Sequence, residues 1–268
     1  MNKMILKEHK KVRELMIINE VKQKRETFML EQARSIAAAE GLHALTLPRL
    51  AEETGYSKPT VYKYFPTKED LIVAIAAQSA AIRASYYERA VTFQARPREK
   101  LYGLNALNFG FLHGYFREML DFHINRLSLQ AGPTRQKELY ENENRLVEIV
   151  ASVVREAIEI GDLKLPEKVN EYQILFTLSS TNFGGYVMRE SDSPVMKKWF
   201  DRIRFKDGGF GEIVLDGLGW KPLSTEWNYK ETRKRFFREV FPELLDESGG
   251  LKKASGVNLD NPPSVHWH

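Results

Sequence analysis

The stretch GYSKPTVYKYFPTKEDL, from Gly55 to Leu71, constrains the fold most, because nearly every residue in it starts, stops or exposes a helix. Gly55 suits the left-handed position that ends a helix. Ser57 is an N-cap for a helix over Lys58–Phe65, with Pro59 in the first turn, where a missing N–H costs least. Pro66 ends that helix. Thr67 then caps another, with Asp70 placed to close a capping-box-like pair. Upstream, from Glu26, Phe28, Ile36 and Ala37 fall near one helical face with Ala33 beside it, and Gly41 ends that run. Thr46 offers an N-cap for the helix between them, which continues through Thr54.

At about 100° per residue, Val61 and Phe65 point one way, toward a small core with Leu50, Ala51 and Leu71. Pro59, Thr60 and Lys63 point the other way, flanked by Tyr62 and Tyr64. That outward face carries hydrogen-bonding tips, a methyl, a cation and flat rings, which suit base edges, thymine methyls and phosphates. Two helices joined by a tight glycine turn, the second presenting such a face, make a helix-turn-helix. A Tyr-rich amphipathic surface helix would give the same single-helix pattern. The caps, the turn glycine and the charge distribution together favour the DNA reader.

The net charge is only +4, but it is uneven. Residues 1–68 hold 13 Lys and Arg against 8 Glu, a local +5, which leaves −1 for the remaining 200. The whole of that excess lies in residues 1–25, with 8 cations and 3 Glu. A basic front suggests a polyanionic partner; a solvated basic tail would read the same. Residues 1–25, with Ile5, Val12, Leu15 and Val21, suit either a helix or a mobile arm. The 268 residues, 43% hydrophobic and 28% charged, are ordinary for a globular protein. Without Cys there is no disulfide, thiolate nucleophile or cysteine metal site. No apolar run reaches a transmembrane length, and LMIIN at 15–19 is too short for a signal sequence, so a cytoplasmic protein is expected.

Residues 29–72, MLEQARSIAAAEGLHALTLPRLAEETGYSKPTVYKYFPTKEDLI, resemble the TetR family of bacterial transcriptional regulators. The resemblance implies an all-α fold: a three-helix DNA-binding domain, then a larger helical domain for ligand binding and dimerisation. Its domains would be a basic extension at 1–25, the helix-turn-helix at 26–72, the ligand and dimer domain at 73–246 and a flexible tail at 247–268. It implies a repressor released by a small, largely apolar ligand, with no catalytic activity and no cofactor. The partners it implies are a near-palindromic double-stranded operator, a second copy of the chain and a small effector. By position, Thr46 and Arg49 are backbone contacts. Lys58, Pro59, Thr60 and Lys63 are the base-facing set beside the N-cap Ser57. Tyr62, Tyr64 and Lys68 are phosphate or groove-edge contacts.

Further along, residues 68–93 and 137–161 read as helices, and 101–127 is apolar and aromatic at helical spacing. Phe109, His113, Phe116, Met119 and Phe122 are candidates to line an apolar ligand cavity; plain core would use the same residues. Residues 170–190 are apolar around much of their circumference, with Ser179, Ser180, Gly184 and Gly185 as small residues. By the resemblance this helix is one half of a dimer interface, with 231–245 as the second half. The Gly-rich 204–227 reads as irregular with a short strand, and the end from Gly249 as a flexible tail. His113, Glu118, Asp121 and His123 lack metal-site spacing, and His266 and His268 sit in that tail, so no metal is expected. No Gly-rich phosphate loop or nucleophile elbow appears. The alternatives are an architectural or partner-tethering DNA-binding protein, and an apolar-ligand carrier or enzyme with a vestigial helix-turn-helix.

Overall fold

The computed structural model describes residues 2–112, 114–115, 130–190, 193–200, 212–247 and 249–252, with side chains from residue 16 onward except at 189, 190 and 200. Among the described residues, helices account for the fold, and the sole β pairing is an isolated antiparallel bridge between Leu245 and Leu251. The chain divides into two compact units, Met1–Ala77 with Asn125–Leu139, and Gln78–Ile124 with Tyr140–His268.

The first unit opens with α1, one continuous helix from Asn2 to Glu40. Of the two forms open to residues 1–25, the chain adopts the helix. Met29, Leu30, Ala33 and Ile36 form its buried face, while Met16, Ile17, Ile18 and Val21 are exposed. Phe28 lies off that face, 39% exposed, and meets Tyr56 edge-on with ring centroids 6.2 Å apart. Gly41 stops α1 with φ +87°, its N–H bonded to the Ala37 carbonyl. α2 (Leu47–Thr54) packs against both α1 and α3 (Lys58–Tyr64). α4 (Lys68–Ala90) starts where Thr67 and Asp70 bond reciprocally: the Thr67 N–H donates to Asp70 at 3.2 Å, and the Asp70 N–H to the Thr67 hydroxyl at 3.0 Å.

The second unit holds the rest of α4, α5 (Pro97–Gly110), most of α6 (Pro133–Glu159), α7 (Glu171–Glu190), α8 (Pro194–Phe200), α9 (Glu212–Gly217) and α10 (Tyr229–Val240). Of the apolar run 101–127, α5 covers residues as far as Gly110; His113 and residues 116–127 lie outside the described residues. One core cluster gathers Ala84, Tyr87, Leu104, Leu107, Phe236, Phe237 and Phe241. Gly103 is what lets Phe236 lie against α5, because a Cβ there would stand 2.5 Å from its ring. A second cluster gathers Leu101, Val154, Ala157, Ile174, Leu178, Leu215 and Trp220.

Two charged residues in the first turn of α5 tie these layers. Arg98, 1% exposed, donates to the Trp220 carbonyl at 2.5 Å and sits 2.6 Å from Asp216. Burial alone would raise the Asp216 carboxyl, but donors from Ser224 and Arg98 hold it below the usual carboxylate range. Glu99, equally enclosed, accepts from the Thr232 hydroxyl at 2.9 Å.

Three expectations change here. Residues 212–217 form a helix, and no strand occurs in the described part of 204–227. Gly249–Lys252 fold back rather than trail away: the Lys252 N–H donates to the Leu244 carbonyl at 2.8 Å, and Leu251 packs on the core. The apolar face of α10 (Tyr229, Phe236, Phe237, Val240) is buried in its own unit, and its exposed residues are polar. It has no apolar face left to form half of an interface. α7 differs, with Tyr172 54% exposed, Phe176 75% and Val187 38%.

Candidate nucleic-acid interface

The geometry of α3 is set by the residues around it. Thr46 caps α2, its hydroxyl accepting the Arg49 N–H at 3.3 Å. Gly55, at φ +70°, ends α2 in the left-handed region and turns the chain at once toward Ser57. The Ser57 hydroxyl accepts the Thr60 N–H at 3.3 Å, with Pro59 in the first turn. Val61 and Phe65 are fully buried, as are Leu50 and Leu71. With one side of so short a helix fixed inward, the opposite side must face solvent.

That outer side carries Lys58, Pro59, Tyr62 and Lys63, all exposed, Tyr62 to 45%. The two lysines are about 7.5 Å apart along the axis. Among the described residues, neither has an ion-pair partner or a side-chain hydrogen bond. α3 itself contains no acidic residue.

The other candidates are more constrained. Thr60 is half-buried, its hydroxyl 2.8 Å from that of Ser57, so it presents less of its polar tip than the wheel implies. Tyr64 is half-buried, tilted against Phe65 with centroids 6.3 Å apart. Arg49, at the start of α2, lies 3.5 Å from both Glu40 and Glu53, which offset its charge. Lys68 is half-buried, and its ammonium donates to the Leu42 carbonyl at 2.9 Å, in the loop after α1. Its first partner is the protein. Lys58, Pro59, Tyr62 and Lys63 therefore come together on one face; Thr46 and Arg49 stand at the head of α2, and Lys68 serves the frame.

Two features carry no local signal in the sequence. Asp70 uses one oxygen for Thr67 and the other for the Gly132 N–H, at 2.8 Å. Arg135, in the first turn of α6, donates to Glu26 of α1 at 2.5 Å and to the Tyr64 carbonyl at the end of α3 at 3.3 Å. Partners 71 and 109 residues away leave no periodicity to read.

Of the cavity candidates, Phe109 is half-buried on α5. His113, Phe116, Met119 and Phe122 lie outside the described residues, as do Glu118, Asp121, His123, His266 and His268. Among the described residues, no group of three or more His, Asp or Glu is placed to hold a metal ion. No described helix is long and apolar enough to cross a membrane.

Residues 29–75 match the family model for bacterial regulatory proteins of the tetR family, which covers α2, α3 and their supports. A curated relative, the fatty acid metabolism regulator protein of Bacillus subtilis strain 168, is 24% identical over 166 residues, 60% of this chain and 84% of that protein. A structure concerned with control of antibiotic production by a bacterial hormone aligns with TM-score 0.50 at 21% identity, covering 67% of this chain and 93% of the other. That likeness shows the fold. PfmR, a TetR family transcriptional regulator from Thermus thermophilus, aligns with TM-score 0.47 at 19% identity over 65% of this chain and 94% of its own.

Proposed function

We propose that the chain, whose residues 29–75 match the tetR family of bacterial regulatory proteins, is a ligand-responsive transcriptional regulator that reads DNA through Lys58, Pro59, Tyr62 and Lys63 of α3. The observation that carries this is the unpaired, acid-free outer face of α3 on a fully capped frame. Laid in a major groove, the lysines reach base edges or phosphates, Pro59 supplies apolar contact and Tyr62 spans the groove edge. Thr46 and Arg49 contact the backbone at the head of α2. The basic helical extension of α1 adds sequence-independent attraction to phosphates.

The proposed assembly is a two-fold dimer, because one copy of α3 reads only one half-site. The exposed stripe of α7, Tyr172, Phe176 and Val187 with Gly184 between, supplies the dimer contact; a Cβ on Gly184 would meet nothing within 4 Å among the described residues. The effector is small and largely apolar. The Bacillus subtilis relative is named for fatty acid metabolism, and a fatty-acid-derived effector accepted in the second unit fits the aromatic run around Phe109. Repression relieved by that effector is the proposed mode, without catalysis.

Selection of bound fragments from genomic DNA, followed by gel shifts with palmitic acid and palmitoyl-CoA, tests this reading. An enriched inverted repeat whose complex is dissolved by either lipid is the expected result. Enrichment of no sequence would remove the DNA reading, and an unresponsive complex would remove the effector class alone.

A further inference from the structure

Arg135 lies 16% exposed by side chain, in the first turn of a helix that the DNA-reading motif does not include. Its guanidinium reaches three elements at once. It donates to Glu26 on α1 at 2.5 Å and to Glu138, one turn further along α6, at 2.8 Å. It also donates to the carbonyl of Tyr64, the last residue of α3, at 3.3 Å. Its plane lies over the ring of Phe65, 5.4 Å from the centroid. Three residues earlier, the Gly132 N–H donates to Asp70 at 2.8 Å, the same carboxylate that caps α4.

The end of a helix is where such a cation has most effect. The last carbonyls of α3 have no partner within the helix, and a positive charge there suits its dipole. α3 has seven residues, so little else along its length fixes its axis. A planar five-donor fork holds Glu26, Glu138 and the Tyr64 carbonyl in fixed directions from two nitrogens, where a lysine has three donors on one freely rotating ammonium. Burial opposes the charge, but Glu26 and Glu138 outweigh that and keep the guanidinium more firmly protonated than an ordinary arginine.

We infer that Arg135 is a positioning residue for the recognition helix: it clasps the first turn of α6 to the end of α3 and to α1, so that the pose of α3 and the position of that turn are coupled. Arg135, Glu26, Tyr64 and Glu138 all belong to the first unit, so the clasp is internal to it. A shift of that first turn therefore pulls on the end of α3, and DNA that holds α3 restrains the start of α6. The coupling is reciprocal, as any binding linkage must be.

The inference rests on the reading of α3 as the DNA-contacting helix, and the test separates the two. Amide hydrogen exchange of the full chain is measured with and without the selected operator duplex, beside affinities for operator and scrambled DNA. In the wild type, operator slows exchange over 57–64 and also over 132–138. In Arg135→Ala the slowing over 57–64 persists and that over 132–138 is lost, while the operator-to-scrambled affinity ratio falls about tenfold. Arg135→Lys, which keeps the charge but loses the planar fork and its stacking over Phe65, gives an intermediate ratio; if Arg135→Ala loses its helical circular dichroism, Arg135→Lys decides by the same two readouts. An unchanged ratio, or equal slowing over 132–138 in the variant, overturns the clasp. No slowing over 57–64 in the wild type overturns the DNA reading itself, and the clasp with it.

Discussion

α3 and α10 are both short amphipathic helices, and they use their outer faces in opposite ways. α10 pairs two of its five cations locally: Lys234 lies 3.4 Å from Glu231, and Arg235 lies 3.2 Å from Glu239. α3 offers Lys58 and Lys63 without a single carboxylate, and sets Tyr62 between them. The inner faces differ too. α10 buries Phe236 and Phe237 at 2% exposure or less, while α3 buries Val61 and depends on caps for the rest. A cation already paired with a carboxylate gains less beside a polyanion than one without a partner, whose counterions leave on binding. The contribution of α10 thus lies in what it hides, and that of α3 in what it shows.

The largest expected effect tests the hidden side. Phe236→Ala should cost about 3–5 kcal/mol of stability, because a fully buried ring leaves a cavity between α5 and α10. Tyr62→Ala on α3 should stay within about 0.5 kcal/mol. Denaturant melts of both variants check the contrast; similar losses would mean that the outer face of α3 is packed after all.

The shown side gives the next effect. Lys58→Glu with Lys63→Glu should weaken operator binding by about 100-fold or more, since two attractive contacts become repulsive. The same reversal at Lys234 and Arg238 of α10 should change it less than about twofold. Fluorescence anisotropy on one duplex reads both, and equal losses would mean that bulk charge, not α3, governs binding.

A smaller effect concerns the extension. Deleting residues 1–22 should weaken binding several-fold at low salt and much less at high salt, with the preferred sequence retained. It removes most of the local +5 but leaves Met29, Leu30, Ala33 and Ile36, the buried face of α1 among the described side chains. Unchanged affinity at low salt would assign this stretch of helix another role.

Much of the reader was legible in the sequence, because its boundaries are set by local chemistry. Ser57, Gly55, Thr46 and the Thr67–Asp70 pair act within four residues of themselves, and each appears where its chemistry demands. Side-chain employment was less legible. A wheel places Thr60 outward but cannot show its hydroxyl held by Ser57, or the Lys68 ammonium held by Leu42 across 26 residues. The continuity of α1 through its basic segment was open because charge alone suits a helix or an arm. What the apolar stripe of α10 packs against was open, because such a stripe looks the same whether it meets its own core or another chain. Arg135 was invisible, since nothing near it in sequence hints at Glu26 or Tyr64.

The central claim is that the outer face of α3 reads base sequence. Selection from random duplexes with the wild type and with Lys63→Ala measures this most directly. The prediction is an inverted repeat with half-sites about one helical turn apart or slightly more, and relaxed preference at one equivalent position in each half for the variant, worth about 1–3 kcal/mol. The same motif with undiminished preference in Lys63→Ala, or no enriched motif in the wild type, would contradict it.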